Sequence, residues 1–150
     1  MPTVYAPVPR DATAVPAQSS DSSAALLDAE KLVCYRLAVE FQTLATRLVP
    51  RQRGVLLATL RDQLDRASVS IVLNIAEGAG RFSPPDKARF YAMARGSATE
   101  CGALVDLLLV RRLITNALHA QARTLVIRIV QMLTRLSASM ASRRASREEP

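Results

Sequence analysis

The chain has 150 residues, a formal net charge of +7 and a sequence pI of about 10.4. This length predicts one domain with a substantial core and leaves no room for a second domain of ordinary size. Aromatic residues make up 4% of the chain and tryptophan is absent, which favours aliphatic helix packing over a β-sandwich or barrel, so the expected class is all-α.

The N-terminal 22 residues, MPTVYAPVPRDATAVPAQSSDS, mix Pro, Ala, Ser and Thr without hydrophobic periodicity and are predicted to form a disordered extension. They lack the basic start and apolar run of a signal peptide, and no later run approaches the ~20 apolar residues of a membrane span. A cytoplasmic protein without a membrane partner is expected.

A first helix is predicted over residues 23–48, capped by Asp21, Ser22 or Ser23 and closed by Pro50. Its apolar stripe consists of Leu26, Val33, Leu37, Phe41, Leu44 and Leu48.

A second helix is predicted over residues 55–80, with apolar residues on two faces. One face holds Leu57, Leu60, Leu64, Ala67 and Ile71, and the other holds Val69, Val72, Leu73 and Ala76. A helix that is apolar on more than one side should lie deepest in the fold or face another subunit.

A third helix should begin after Ser83, because an N-cap serine, prolines in the first turn and Asp86 three residues later agree with one another. Its predicted core stripe is Phe90, Ala94, Ser97, Cys101, Leu104 and Leu108. Thr115 or Asn116 can cap a fourth helix, whose stripe is Leu118, Leu125, Ile129, Met132, Leu136 and Met140.

Four helices with short connections predict an antiparallel up-down-up-down four-helix bundle over residues 23–140. Residues 141–150, ASRRASREEP, are predicted to form a flexible charged tail because they show no periodicity.

Polar side chains interrupt the most apolar part of the chain at helical spacing. Arg66, Ser70, Asn74, Glu77 and Arg81 fall along one side of the second helix. A comparable line on the third helix holds Arg89, Gly96 and Glu100, with Ser97 beside it.

We expect opposed Arg and Glu side chains on the two antiparallel helices to pair across a groove and fix the helix register. Truncation of Glu77 would then cost a few kcal/mol, since a buried partner would lose its counter-charge. A ligand groove is the alternative. Gly96, inside a helix, predicts close helix packing.

The segments RASVSIVLNIAEGAGR and RFYAMARGSATE resemble the family of the large-subunit rRNA intervening-sequence protein, which includes the accessory variability determinant of diversity-generating retroelements. The resemblance is specific at Arg66, Ser70, Ile71, Asn74, Ile75, Ala76, Glu77, Gly78, Gly80, Arg81, Phe90, Ala94, Gly96, Ser97 and Glu100, and extends more weakly across residues 30–138.

This resemblance implies a homopentameric barrel of four-helix bundles with a basic surface. It also implies binding to RNA or DNA and to a reverse transcriptase, in support of mutagenic copying of template RNA. Both branches of the family carry the shared motif, so it does not distinguish a retroelement protein from an rRNA-insertion protein.

The positive charge is almost all arginine, because Lys31 and Lys87 are the only lysines. Arginine binds phosphate as a fork, so a basic nucleic-acid-binding surface is the first hypothesis. The candidate phosphate contacts are Arg47, Arg51, Arg53, Arg111, Arg112, Arg123, Arg128 and Arg135, with Arg143, Arg144 and Arg147 in the tail. A solvated surface is the alternative for each of them. The aromatic residues, Phe82 among them, are scattered and predict no stacking platform.

An enzyme is the second hypothesis, and the sequence argues against it. A di-metal carboxylate site needs Glu-x-x-His pairs, and the single histidine, His119, has no acid at that spacing. His119 is expected to lie on the surface, and AEGAGRF lacks the lysine and preceding strand of a phosphate-binding loop. No metal or cofactor is expected, and Cys34 and Cys101 are predicted to be core residues.

A structural or interaction oligomer without a nucleic-acid role is the third hypothesis. Salt-sensitive RNA binding would discriminate it from the first.

Overall fold

The computed structural model describes residues 25–49 and 54–148, and describes side chains as far as Arg143. Within these residues the fold holds four α-helices and no strand. The helices are α1 (Val33–Leu48), α2 (Val55–Gly80), α3 (Pro84–Val110) and α4 (Asn116–Glu148). The all-α class is therefore confirmed, and α2 has the predicted bounds.

The helices form an antiparallel bundle in which each helix packs against the next and α4 packs back onto α1. Connectors of three residues (81–83) and five residues (111–115) join α2 to α3 and α3 to α4, so these neighbours must run in opposite directions. The end of the bundle at which α2 stops and α3 starts is called the Gly80 end. The opposite end, at which α3 stops, is called the Val110 end.

The start of the first helix differs from the prediction. A 3₁₀ turn, Asp28–Lys31, precedes α1, and Leu32 between them has an extended backbone (φ −91°, ψ 126°). Local bonds hold this turn, since the Leu27 N–H donates to Glu30 Oε2 at 2.6 Å and Lys31 pairs with Asp28. Leu26 and Val33 are consequently exposed rather than in the core. The predicted caps Asp21, Ser22 and Ser23 and the predicted stop Pro50 lie outside the described residues.

The predicted boundary at Ser83 is confirmed. The Asp86 N–H donates to Ser83 Oγ, and Ser83 Oγ donates to Asp86 Oδ2 at 2.6 Å. Lys87 Nζ donates to Ala79 O at 2.7 Å, so the first turn of α3 satisfies a carbonyl at the end of α2. These bonds fix the connector at the Gly80 end.

The core runs through the centre of the bundle and includes Phe41, Leu64, Ile71, Leu108 and Ile129. The predicted stripe of α3 is displaced by one residue at its start, where Phe90 is half-buried and Tyr91 is buried at 3% exposure. Gly78 explains the shift, because its missing side chain leaves room for the Tyr91 ring.

The helix α4 continues to Glu148, past residue 140 where the sequence predicted that the bundle ends. The segment beyond Met140 contains alanines, serines and arginines but no Gly or Pro before Pro150. Alanine and arginine are strong helix formers, so nothing terminates the helix where its apolar stripe ends.

The second apolar face of α2 is not covered by other helices of the same chain. Val69 and Leu73 are exposed, Leu73 at 61%, while Val72 is half-buried. With Val39 and Thr43 of α1 they border a groove of about 220 Å³. Within one chain, therefore, this face of α2 is on the surface.

Candidate nucleic-acid interface

The middle of the predicted polar line connects α2 to α3. Ser70 Oγ lies 2.9 Å from Ser97 Oγ across the two helices. Asn74 Nδ2 donates to Ser70 O at 2.8 Å and to Ser70 Oγ at 3.0 Å. These half-buried groups satisfy one another, as buried polar groups in a helix interface must. The structure thus brings together three of the predicted network residues.

The predicted cross-helix pairing of Glu77 is wrong. Glu77 pairs with Arg81, four residues later on α2, and the two side chains are 50% and 46% exposed. The Arg81 guanidinium also lies over the Phe90 ring, with Cζ 4.9 Å from the ring centroid. An i, i+4 pair on the surface contributes about 0.3–0.5 kcal/mol, so in a single chain the truncation of Glu77 should cost less than the few kcal/mol expected from a buried pair.

The outer members of the polar lines do not pair across the helices. Arg66, Arg89 and Glu100 are exposed, and none has an ion pair with another described residue. A Cβ built on Gly96 would meet nothing within 4 Å, so Gly96 makes no close helix contact within one chain. Such contacts occur instead at Gly78 and at Gly102.

Three of the predicted phosphate contacts lie at the Val110 end. Arg47 is in the last turn of α1, and Arg111 and Arg112 directly follow α3. All three are exposed and have no ion pair with another described residue. Arg112 adopts a left-handed conformation (φ 57°) and donates its N–H to Leu109 O, which ends α3. Arg51 and Arg53 lie outside the described residues.

The other predicted contacts lie on α4. Arg128 and Arg135 are exposed, seven positions apart and hence on one side of the helix. Neither has an ion pair with another described residue. Arg143 is exposed near the end of α4, and the side chains of Arg144 and Arg147 lie outside the described part. The arginines therefore form two groups, one at the Val110 end and one along α4.

Arg123 differs from the rest because it belongs to a polar cluster between α3 and α4. Its Nη1 donates to Asp106 Oδ2 at 3.4 Å, and His119 Nε2 lies 2.7 Å from Asp106 Oδ1. The His119 side chain is 22% exposed, so the expected surface histidine is half-buried and paired. The sequence holds a signal for this cluster. Asp106 and His119 are separated by nearly the same number of residues from the centre of the α3–α4 connector, and two antiparallel helices place such residues side by side.

The thiols are buried and protonated. Burial raises the pKa of the Cys101 thiol to about 12, and burial also raises the pKa of the Cys34 thiol. Neither forms a disulfide. Both are core residues, as predicted, and such thiols are poor nucleophiles.

The described part of the chain offers neither a cluster of metal ligands nor a membrane span. It contains no group of three or more His, Cys, Asp or Glu side chains placed to hold a metal ion. None of its helices is long and apolar enough to cross a membrane.

Comparisons with known proteins agree with this architecture. The family model described as "23S rRNA-intervening sequence protein" matches residues 30–135. Among solved structures, the chain is similar to a protein of unknown function from the S23 ribosomal protein family of Bacteroides thetaiotaomicron, with 23% identity and a TM-score of 0.62. That match covers 71% of this chain and 96% of the other and supports the fold alone. No curated protein matches.

Proposed function

The chain belongs to the 23S rRNA-intervening sequence protein family, and from that membership and its surface we propose that it is a non-catalytic protein that binds nucleic acid in the cytoplasm. The observation that carries this proposal is a set of exposed arginines without acidic partners among the described residues: Arg47, Arg111, Arg112, Arg128 and Arg135. Guanidinium groups left free in this way are suited to phosphate.

The net charge of +7 supports this proposal over a neutral scaffold, because a positive field attracts a polyanion at long range. Binding of this kind reads the phosphate backbone and depends little on sequence.

The arginines of α4 provide the test. Replacing Arg128 and Arg135 with Gln should reduce the salt dependence of binding to single-stranded RNA by about 0.7 per lost contact in log K against log salt. The matched control is Arg66→Gln with Arg89→Gln, which removes the same charge from exposed positions on α2 and α3. A slope for the Arg128 and Arg135 double variant equal to that of the unmodified chain would exclude these two residues from the interface.

We also propose that the chain assembles into a ring of identical subunits, a homopentamer by its resemblance to family members. One apolar groove, bordered by Val39, Val69 and Leu73, lies between α1 and α2. A second, of about 220 Å³ and bordered by Val126 and Ile127, lies between α3 and α4 on the opposite side of the bundle. Contact between two different faces is heterologous and closes a ring if the rotation permits.

Native mass spectrometry tests the ring. The expected mass is five times 16.3 kDa, and Leu73→Arg or Ile127→Arg should each produce monomers, because each would place a charge in the apolar contact. A monomeric parent chain at micromolar concentration, or arginine variants that remain assembled, would contradict the proposal.

The finer proposal is that this protein is an accessory factor of a diversity-generating retroelement, which binds template RNA or cDNA and the reverse transcriptase. It rests on the resemblance to the family as a whole, which Arg66, Asn74, Glu77, Gly78 and Arg81 carry; both branches share these residues, so the bound partner decides between them. Purification of the tagged protein from its own host at low salt, followed by identification of bound proteins and nucleic acid, tests it. A reverse transcriptase with one dominant RNA would support this role. Recovery of ribosomal RNA alone, or of no partner, would favour an rRNA intervening-sequence type oligomer.

A further inference from the structure

A groove at the Gly80 end lies between the α2–α3 connector and residues 139–143 of α4. Its volume is about 660 Å³, within the range of small-molecule and cofactor pockets. The connector and the start of α3 contribute Phe82, Pro84 and Lys87, and α4 contributes Ser139, Met140, Ser142 and Arg143. It exists because α4 continues beyond Met140, so the sequence did not predict it.

Phe82 is the unusual member of this groove. It is fully exposed, although a phenyl ring gains free energy when it is removed from water. The backbone beside it is fixed by the Ser83 cap and by the bond from Lys87 Nζ to Ala79 O. The ring is thus attached to a rigid connector next to an open groove, which lowers the entropic cost of binding a ligand there.

The charge of the groove selects the class of ligand. The two charged residues that line it, Lys87 and Arg143, are both cationic. The Lys87 ammonium has three N–H donors; it donates to Ala79 O at 2.7 Å and to Gly78 O at 3.5 Å, which leaves one donor for a ligand. An exposed aromatic ring beside two cations is the combination that binds single-stranded nucleic acid, with a base stacked on the ring and phosphates near the cations.

We propose that this groove binds one nucleotide of a single strand, with its base on Phe82 and its phosphate near Arg143 and Lys87. This inference rests on the proposed function and deepens it, because it adds a stacking site that the arginine surface lacks. A duplex keeps its bases stacked inside, so the groove should favour single strands.

The test compares binding of oligouridine and of a blunt RNA duplex to the full chain. Phe82→Ala should weaken oligouridine binding about fivefold or more and leave duplex binding unchanged. Phe82→Tyr should retain the affinity, since it keeps the ring. Arg143→Gln should lower the salt slope for oligouridine by about 0.7. Val55→Ala, at an exposed apolar position at the Val110 end, is the matched control and should change neither.

The outcomes separate the site from the proposed function. If the parent chain binds neither probe, the proposed function fails and the site fails with it. If the parent binds and Phe82→Ala is unchanged, or loses both probes equally, the Phe82 site is overturned and the arginine surface stands. A Phe82→Ala variant with altered oligomer mass and unaltered RNA affinity would show that the ring contacts another subunit, which also overturns the site.

Discussion

Two glycines on neighbouring helices should respond to alanine in opposite directions. A Cβ on Gly78 would lie 2.8 Å from Tyr91 Cε1, 3.0 Å from Cδ1 and 3.1 Å from Phe90 Cβ. Carbon atoms in contact lie about 3.5–4.0 Å apart, and the buried Tyr91 ring has little room to move. A Cβ on Gly96 would meet nothing within 4 Å.

The magnitudes follow from these contacts. Alanine at either position gains about 1 kcal/mol of helix propensity. At Gly78 this gain is opposed by overpacking, which typically costs about 1–3 kcal/mol, and the 2.8 Å approach places the cost at the upper end. We expect Gly78→Ala to lose about 1–2 kcal/mol of unfolding free energy and Gly96→Ala to gain about 0.5–1 kcal/mol.

Thermal unfolding followed by circular dichroism measures both variants, with shifts of roughly 2–4 °C per kcal/mol. Gly96 is the control for Gly78, because the chemical change is the same in the same kind of helix. A stabilised Gly78→Ala variant would refute the proposed contact with Tyr91. A Gly96→Ala variant as unstable as Gly78→Ala would refute the claim that Gly96 faces open space.

Three further predictions concern single side chains. Glu77→Ala should lose less than about 1 kcal/mol in urea unfolding, because its pair with Arg81 is exposed; a loss of several kcal/mol would show that Glu77 is buried in the assembly. Ser83→Ala should lose about 1 kcal/mol in the same assay through loss of the N-cap, and an unchanged stability would contradict its capping role. The Cys101 thiol, whose pKa is raised to about 12 by burial, should resist alkylation at pH 8 until the chain unfolds, whereas rapid labelling of the folded protein would show that it is accessible.

The sequence predicts the elements with strong local signals. Ser83, Pro84 and Asp86 determine the start of α3 by capping, and capping depends only on neighbouring residues. The bounds of α2 follow from the spacing of its own apolar residues, which is also a local signal. The class and topology follow from four such segments with short connections.

The errors occur where the result depends on residues distant in the chain. Spacing places Glu77 and Arg89 on facing helices, but an arginine four residues away on α2 is closer to Glu77 than any on α3. Periodicity alone could not choose between Phe90 and Tyr91 as the buried ring, because the space at Gly78 on another helix decides it.

The candidate site was predicted as a set of residue types and not as a geometry. Arginine content predicts a basic surface, and the structure separates those arginines into a group at the Val110 end and a group along α4. The pairing of Arg123 with Asp106 and the groove beside Phe82 depend on how helices align in the bundle.

The most direct measurement is the affinity of the unmodified protein for labelled single-stranded RNA across a series of salt concentrations. If the exposed arginines bind phosphate, log K should fall linearly with log salt, with a slope of about 0.7 for each contact. Several contacts per subunit are predicted, so the slope should exceed that of a single ion pair. Absence of binding at low salt, or an affinity that does not change with salt, would contradict the proposal that this basic bundle binds nucleic acid.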